Sequence, residues 1–307
     1  MILTVCLSPC IDVNIEVESL SVGMSHKIIN KRVFFTGKAI NVAIGIARLQ
    51  EEAFSTGFMY EINGNQFEQE LHREGVPYKF IWNKGRVREN YKFIDQKSML
   101  TEVDDISPEV GEESQNKLLE LISEVSSTCS AIVVSGGLTR GMTPDYYGKI
   151  FASLRKEIIK VVDTEGERLN YALNEGMDLV KPNLGELERT LKTKFKDKTD
   201  MLNGCYKILD KGAKRVLLSL GKRGAVITDG TKNFYCKSIN VAMNSTVGAG
   251  DSMVAAATSA LVKGAPLEDI LKAGVAAGTA SVTSPYSIAF LKTKYEEILN
   301  ALTVKEI

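Results

Sequence analysis

Hydrophobic and polar positions along the chain switch repeatedly between two periods. Residues 2–7, ILTVCL, are apolar except for Thr4 over the length of a strand, the pattern of a buried strand. The next segment alternates strictly: Ile11, Val13, Ile15 and Val17 are apolar, whereas Asp12, Asn14, Glu16 and Glu18 are polar. That period of two predicts a strand with one face covered. KIINKRVFF (27–35) reads as its neighbour, and another extended piece, VRENYKFID, occupies 87–95. These pieces interrupt any simple β-α-β rhythm. They are expected to form a small sheet outside the main layer, serving as a lid or a dimer contact.

Elsewhere strand and helix alternate. AINVAIGIARL and QNKLLELISEV carry apolar residues at helical spacing. AIVVSG (131–136), IKVVDT (159–164), MDLVK (177–181) and RVLLSLG (215–221) are short β-rich runs, each followed by helix-like sequence. Repeated β-α units predict a mostly parallel sheet with helices on both faces. Asp229-Gly230, between two strand-like runs, predicts a hairpin. Residues 252–263, 267–283 and 292–302 are predicted helices, the first ending at a Lys263-Gly264 cap. No repeat, linker or low-complexity segment divides the chain. Residues 1–307 are therefore expected to form a single domain, with lid segments at about 11–35 and 87–103.

Composition narrows the partners. Lys and Arg total 38, as do Asp and Glu, so no global field draws the chain to nucleic acid or to an anionic membrane. Any anionic ligand must be held by local charge. Cys6, Cys10, Cys129, Cys205 and Cys236 are scattered, with no CxxC pair, which indicates neither a zinc site nor a disulfide framework. The opening MILTVCLSPCIDV has no basic segment, and no apolar run approaches the roughly 20 residues needed to cross a bilayer. A cytoplasmic protein is expected. His26 and His72 suggest no catalytic or metal cluster.

In open α/β sheets, ligands bind beyond the carboxyl ends of the strands, so the strand-to-helix junctions are where chemistry is expected. In STVGAGDSMVAAA (245–257), Gly248 and Gly250 allow close approach and unusual backbone angles. Free N–H groups and the helix dipole there attract an anion, and Asp251 lies beside it, as a proton acceptor or as a helix cap. No GxxxxGK[ST] occurs, and Met253 stands where a Rossmann fingerprint has its third glycine. In FFTGKAINVAIG (34–45), Lys38 stands near a helix start, where the dipole disfavours it unless a phosphate arrives; a solvated surface lysine is the alternative. Asn41 faces a ligand hydroxyl or solvent. In LVKPNLGELE, Asn183 and Glu186 have the spacing of a capping box. They could equally organise a metal-nucleotide through water, with Lys181 nearby. Ser219, Gly221 and Gly224 follow a strand, as a ligand-facing loop or an ordinary glycine turn. Arg88 and Asn90 share one face of an extended segment, where arginine suits a phosphate or a surface salt bridge. Asp12 binds sugar hydroxyls or faces solvent.

The ordered pieces LSPCID, TGKAIN, VREN, SGGL, DTEG, KPNLGE, SLGKRG and VGAGDS resemble the motifs of the ribokinase-like (PfkB) carbohydrate kinase family, across nearly the whole chain. The pattern is most similar to its hexose-phosphate branch, which includes 1-phosphofructokinases and tagatose-6-phosphate kinases. The resemblance implies a three-layer α/β/α fold with a mostly parallel central sheet and a small β-sheet lid through which a homodimer forms. It implies transfer of the ATP γ-phosphoryl group, with Mg2+, to a ketohexose phosphate such as tagatose 6-phosphate or fructose 1-phosphate. By the same resemblance Asp251 is the general base, and Gly248, Ala249 and Gly250 form the anion hole. Asp12, Gly37 and Asn41 match sugar-hydroxyl positions. Lys38 and Arg88, with Asn90 beside it, match the groups holding the phosphate already on the substrate, and Lys27 on the lid adds to them. Lys181, Asn183 and Glu186, then Ser219, Gly221 and Gly224, match the nucleotide side; Asn183 and Glu186 reach Mg2+ through water, and 274–284 lies near the adenine.

Two pieces depart from the family's pattern. The usual GGKGxN reads Thr36-Gly37-Lys38-Ala39-Ile40-Asn41, and the usual SGSLPPG reads SGGLTRG (135–141). If residue 36 or 39 needed a positive φ, the cost would be on the order of 1 kcal/mol or a changed loop. Two alternatives stand beside the kinase of a sugar phosphate: a kinase of an unphosphorylated sugar or nucleoside, and a non-catalytic sugar- or nucleotide-binding regulator. An NAD-dependent dehydrogenase is a weaker reading.

Overall fold

The apolar run at the N-terminus forms β1 (Ile2–Cys6), buried along its whole length in the interior of a ten-stranded sheet. The computed structural model describes residues 1–97, 99–242, 247–284 and 289–307. After β1 the chain leaves this sheet as β2 (Cys10–Val17) and β3 (Ile28–Thr36), then returns through α1 (Lys38–Arg48) to β4 (Ala53–Ile62) and through α2 (Asn65–Arg73) to β5 (Tyr78–Arg86). It leaves again as β6 (Arg88–Ile94) and β7 (Leu100–Asp104), and re-enters through α3 (Glu112–Ser126) to β8 (Ala131–Ser135). Next come α4 (Tyr146–Ala152), β9 (Ile159–Asp163), α5 (Glu167–Leu173), β10 (Leu179–Val180), α6 (Leu184–Leu191), α7 (Lys198–Asp210) and β11 (Val216–Ser219). The chain ends with β12 (Ala225–Thr228), β13 (Asn233–Cys236), α8 (Ala249–Val262), α9 (Leu267–Ser281), α10 (Lys292–Ala301) and β14 (Val304–Glu306).

The large sheet runs β14-β13-β12-β11-β10-β9-β8-β1-β4-β5. It is parallel from β11 to β5 and antiparallel from β11 to β14. Helix α1 carries the chain from β1 towards one edge, whereas α4 carries it from β8 towards the other. With the usual right-handed crossover, those opposite directions put the two helices on opposite faces. Helices α1, α8, α9 and α10 pack together, and α3, α4 and α5 pack in succession. The fold is thus the expected three-layer α/β/α arrangement. Strands β1 and β8 lie side by side while their connections diverge, which opens a crevice at their carboxyl ends.

The lid is a second sheet of four strands, ordered β3-β2-β6-β7. Ser98, within the expected lid segment, lies outside the described residues. The alternation in β2 holds over most of the strand: Ile11, Val13, Ile15 and Val17 are buried and Asn14 and Glu16 half-buried, but Asp12 is buried too, which removes the reading in which it faces solvent. Strands β4 and β5 had no clear signal. Gly57 interrupts β4, where its backbone lies against Cys6 of β1. β5 is an edge strand whose polar and partly exposed residues hide its pattern. The anticipated 177–181 strand shrinks to Leu179–Val180. Thr36 ends β3 and Ala39 lies inside α1. Among the described residues only Gln50, Asn63 and Lys192 are non-glycines with positive φ, so neither replacement of a family glycine is strained. All five cysteines are buried and free. No described helix is long and apolar enough to cross a membrane.

One close approach sets the site. A Cβ at Gly45 of α1 would lie 2.7 Å from the Cβ of Ala255 in α8. One turn earlier on each helix stand Asn41 and Asp251, so this contact fixes how near those side chains come. Gly45→Val is expected to lower the unfolding free energy by about 1–3 kcal/mol through overpacking. Gly111→Ala, with open space around it, is expected to change it by less than about 1 kcal/mol. Urea denaturation distinguishes the two; equal effects would contradict the tight α1–α8 contact.

Candidate active site

The ends of three parallel strands converge on one buried carboxylate. Asp163, the last residue of β9, is 1% exposed. Lys181, just past β10 and 3% exposed, places Nζ 3.1 Å from Asp163 Oδ1. Ser135, at the end of β8, donates its hydroxyl to Asp163 Oδ2 at 3.0 Å. Lys38, the first residue of α1, lies with Nζ 3.5 Å from Asp163 Oδ2 and 3.5 Å from Glu186 Oε1. Burial opposes the charge of Asp163, but Lys181 and Lys38 outweigh it and hold the carboxyl below its ordinary value. Asp163 in turn raises the Lys38 ammonium above its ordinary value against the effect of burial, with Glu186 and Asp251 contributing.

Asp251 lies in the first turn of α8. Gly248 is the N-cap, with φ 78°, and has no side chain to offer the helix. The first intrahelical bond runs from Ser252 N–H to Gly248 O at 2.9 Å. The N–H groups of Ala249, Gly250 and Asp251 therefore have no intrahelical acceptor, and they face the region where an anion is favoured. The cap position belongs to Gly248, which removes the reading of Asp251 as a simple cap. Lys181 passes close to the turn at Gly250, where a Cβ would lie in ordinary contact with Nζ at 3.5 Å. Ser245 and Thr246, the start of this junction in the sequence, lie outside the described residues.

Asp251 is 6% exposed, and Asn41 Nδ2 donates to its Oδ2 at 2.6 Å. Thr36 Oγ1 donates to Asn41 Oδ1 at 2.8 Å. Burial pushes the Asp251 carboxyl up from 3.8 to about 6. Lys38, the Asn41 hydrogen bond and Lys181 pull against burial, and Asp163 adds to it.

The capping box anticipated for Asn183 and Glu186 is present. Glu186 N–H donates to Asn183 Oδ1 and Asn183 N–H donates to Glu186 Oε2, both at 2.8 Å. This leaves Glu186 Oε1 facing Lys38, so the structural role does not exhaust the residue. Asn183 lies beside Ser219, whose N–H donates to Pro182 O at 3.0 Å, so the α6 start and the loop after β11 are neighbours. Gly221 is open to solvent. Gly224, with φ 93°, is demanded by packing instead, because a Cβ there would lie 1.9 Å from Cys236 O.

Among the described residues no group of three His, Cys, Asp or Glu side chains could hold a metal as a protein cage. Three carboxylates, Asp163, Glu186 and Asp251, surround two ammonium groups, Lys38 and Lys181. That donor set suits Mg2+, which keeps much of its water and takes one or two carboxylates together with substrate phosphates.

A second cluster lies on the lid. Asp12 is paired with Lys92 Nζ at 2.9 Å and accepts from Asn90 Nδ2 at 3.3 Å. Arg88 donates to Asn90 Oδ1 at 2.8 Å and to Ser8 Oγ at 3.2 Å. Register explains the grouping: Asp12 of β2 is directly opposite Asn90 of β6. Arg88, Asn90 and Lys92 share a strand face at spacing two. That spacing could have drawn attention to Lys92, which was not anticipated. Gly37 packs against the end of β1 and the turn after it: a Cβ there would meet Cys6 Sγ at 2.6 Å and Pro9 Cα at 3.3 Å. Lys27 is exposed just before β3. Lys38 and Arg88, expected to hold one phosphate, have different partners in the structure: Lys38 contacts Asp163 and Glu186, and Arg88 contacts Asn90 and Ser8. Asp163 was also not anticipated as a site residue, although a polar residue ending the apolar strand IKVVD was its signal.

Residues 1–294 match the family described as pfkB family carbohydrate kinase. A 1-phosphofructokinase of Borreliella burgdorferi is 30% identical over 283 residues, covering 92% of this chain and 91% of the relative. A tagatose-6-phosphate kinase of Staphylococcus epidermidis is 26% identical over 315 residues, covering 100% of each. Phosphofructokinase-2 from Escherichia coli, solved in complex with substrates and products, aligns with a TM-score of 0.89 at 29% identity over 98% of both chains. Its tetrameric inhibited form gives 0.89 at 28%, again over 98% of both.

The raised Asp251 value makes a stability prediction. The folded protein binds this proton more tightly than the unfolded chain does. The resulting stabilisation is full below about 3.8 and is lost as pH rises through about 6. At pH 8 the buried charge is a cost, so Asp251→Asn is expected to raise the melting temperature there. The difference should shrink steadily towards about pH 4. A difference that is the same at both ends of this range would contradict titration of Asp251 within it.

Proposed function

This chain belongs to the pfkB family of carbohydrate kinases, and on that premise we propose that it transfers the γ-phosphoryl group of ATP to a hydroxyl of a ketohexose phosphate, with Asp251 as general base. The observation that carries this reading is the buried Asp251 carboxylate at an uncapped helix start, beside the ammonium groups of Lys38 and Lys181. Asp251 Oδ2 is occupied by Asn41, which leaves Oδ1 for the substrate hydroxyl. Asp251 accepts the hydroxyl proton as that oxygen forms its bond to the γ-phosphorus. The bond from the γ-phosphorus to the bridging oxygen breaks, and ADP takes the electron pair. A carboxyl near 6 is mostly ionised at neutral pH yet remains a useful base. The N–H groups of Ala249, Gly250 and Asp251 receive charge on the transferring group, and Lys38 neutralises it.

Glu186 and Asn183 are the residues that would hold Mg2+ through water, with the buried Asp163 contributing negative charge from beneath. When bound, Mg2+ supplies neutralisation of the phosphate oxygens. The Ser219–Gly221 loop and 274–284 are assigned to the nucleotide. On the lid, Arg88 and Lys92 exceed Asp12 by one positive charge, which suits the substrate's own phosphate, while Asp12 and Asn90 suit sugar hydroxyls. Lys27 adds to that site on lid closure. Relatives named 1-phosphofructokinase and tagatose-6-phosphate kinase support fructose 1-phosphate or tagatose 6-phosphate as the substrate, and the likeness to phosphofructokinase-2 keeps other ketohexose monophosphates in the set to be assayed. The lid also exposes the apolar side chains Val22, Met24, Ile28, Ile29, Leu100 and Val103, and such exposed apolar residues suit a homodimer contact. A cytoplasmic setting fits this activity.

An ATP-coupled assay with phosphorylated and unphosphorylated ketohexoses tests the proposal. The phosphorylated sugars are expected to react with kcat/KM at least about 100-fold higher, the worth of charge-assisted phosphate contacts. Asp251→Asn is expected to lower kcat by about 10²–10⁴-fold with little change in the KM for ATP. Arg88→Met is expected to lower kcat/KM for the sugar phosphate by about 10–100-fold and to spare the unphosphorylated sugar. Equal rates for wild type and Asp251→Asn would overturn the general-base assignment. Equal kcat/KM for the two sugar classes would favour a kinase of unphosphorylated substrates.

A further inference from the structure

Thr36 stands where the family's usual pattern has a glycine, and it is not a passive replacement. It is the last residue of the lid strand β3 and is 2% exposed. Its hydroxyl donates to Asn41 Oδ1 at 2.8 Å, and Asn41 Nδ2 donates to Asp251 Oδ2 at 2.6 Å. A three-residue relay thus joins the end of the lid, the first turn of α1 and the first turn of α8. We propose that Thr36 is a positioning residue for phosphoryl transfer, its hydroxyl holding the Asn41 carbonyl and so anchoring the amide with its N–H on the Asp251 carboxylate.

The two ends of a carboxamide are nearly alike in shape and opposite in charge. Turned over, Asn41 would set its carbonyl oxygen against a buried carboxylate. The carboxylate can only accept, so it selects the N–H; the Thr36 hydroxyl, which can donate, then satisfies Oδ1 and fixes the far end of the amide. Without the hydroxyl, Oδ1 is a buried acceptor lacking its partner, and the amide is held less firmly against Asp251. A glycine at position 36 has no donor to offer, so the constraint belongs to this chain. The same relay links the lid strand mechanically to the reacting carboxylate, because β3 ends where the relay begins.

The other groups facing Asp251 stay in place when Thr36 is changed. They are Lys38 on α1, Lys181 after β10, Asp163 on β9 and Cys6 on β1. Cys6 is a neutral thiol, pushed up to about 12 by burial. Loss of the oriented N–H therefore acts against the same background of charge and favours the protonated carboxyl.

This inference rests on Asp251 being the base, and the experiment separates the two ideas. Thr36→Val keeps the shape and removes the hydroxyl, Thr36→Ser keeps the hydroxyl, and Asp251→Asn removes the base. All are compared with wild type for kcat, both KM values, the pH dependence of kcat and melting temperature. Thr36→Val is expected to lower kcat about tenfold, roughly the worth of one buried hydrogen bond, with both KM values within about twofold and the acid limb of the profile moved to higher pH. Thr36→Ser is expected to restore kcat to within about twofold of wild type. Wild-type kcat and pH limb in a folded Thr36→Val, with Asp251→Asn inactive, would overturn the role of Thr36 and leave the base assignment standing. Thr36→Ser as slow as Thr36→Val would also overturn it, because packing would then explain the loss. An active Asp251→Asn would defeat the base assignment itself.

Discussion

The hydrogen bond between Asn41 and Asp251 is the contact on which the site depends. It crosses between two helices far apart in sequence, and it forms because α1 and α8 pack closely at Gly45 and Ala255. A carboxylate buried this deeply loses most of its hydration, which favours its protonated form. One amide N–H, two nearby ammonium groups and the open start of α8 offset enough of that loss to keep it available as a base. Too much compensation would leave a weak base, and too little would leave a protonated one. The compromise lies near neutrality, where proton transfer is useful.

The sheet order supplies the remaining geometry. The connections that follow β1 and β8 diverge, and Ser135 at the end of β8, Asp163 at the end of β9 and Lys181 just past β10 stand along one crevice. The lid is built from excursions that leave the sheet after β1 and β5, so its polar face can meet that crevice from above. Two clusters result. One centres on Asp163 and Asp251 and suits a transferring phosphoryl group. The other centres on Asp12, Asn90, Lys92 and Arg88 and suits the sugar that receives it.

Much of this was legible from patterning. The buried run of β1, the alternation of β2, the helix after VGAGD and the capping box at Asn183 and Glu186 are local features, and local physics decides them. Strands β4 and β5 were obscured because their stability comes from neighbours: Gly57 is tolerated for its approach to β1, and an edge strand need not alternate cleanly. Asp163 and Lys92 became site residues through long-range register, which a single sequence does not display. The departures at Thr36 and Ala39 pointed to possible strain, yet the backbone is ordinary at both. What the change at 36 brings is a hydroxyl, and its use depends on Asn41 standing within reach.

The central claim is that a single buried carboxylate takes the proton during phosphoryl transfer. Rapid-quench measurement of one turnover, with enzyme in excess over sugar phosphate, isolates that step across pH 5–8. The account predicts that the wild-type rate of the chemical step rises through one ionisation near 6 and that Asp251→Asn lacks this dependence. A chemical step that is independent of pH, or one with the same profile in both proteins, would contradict it.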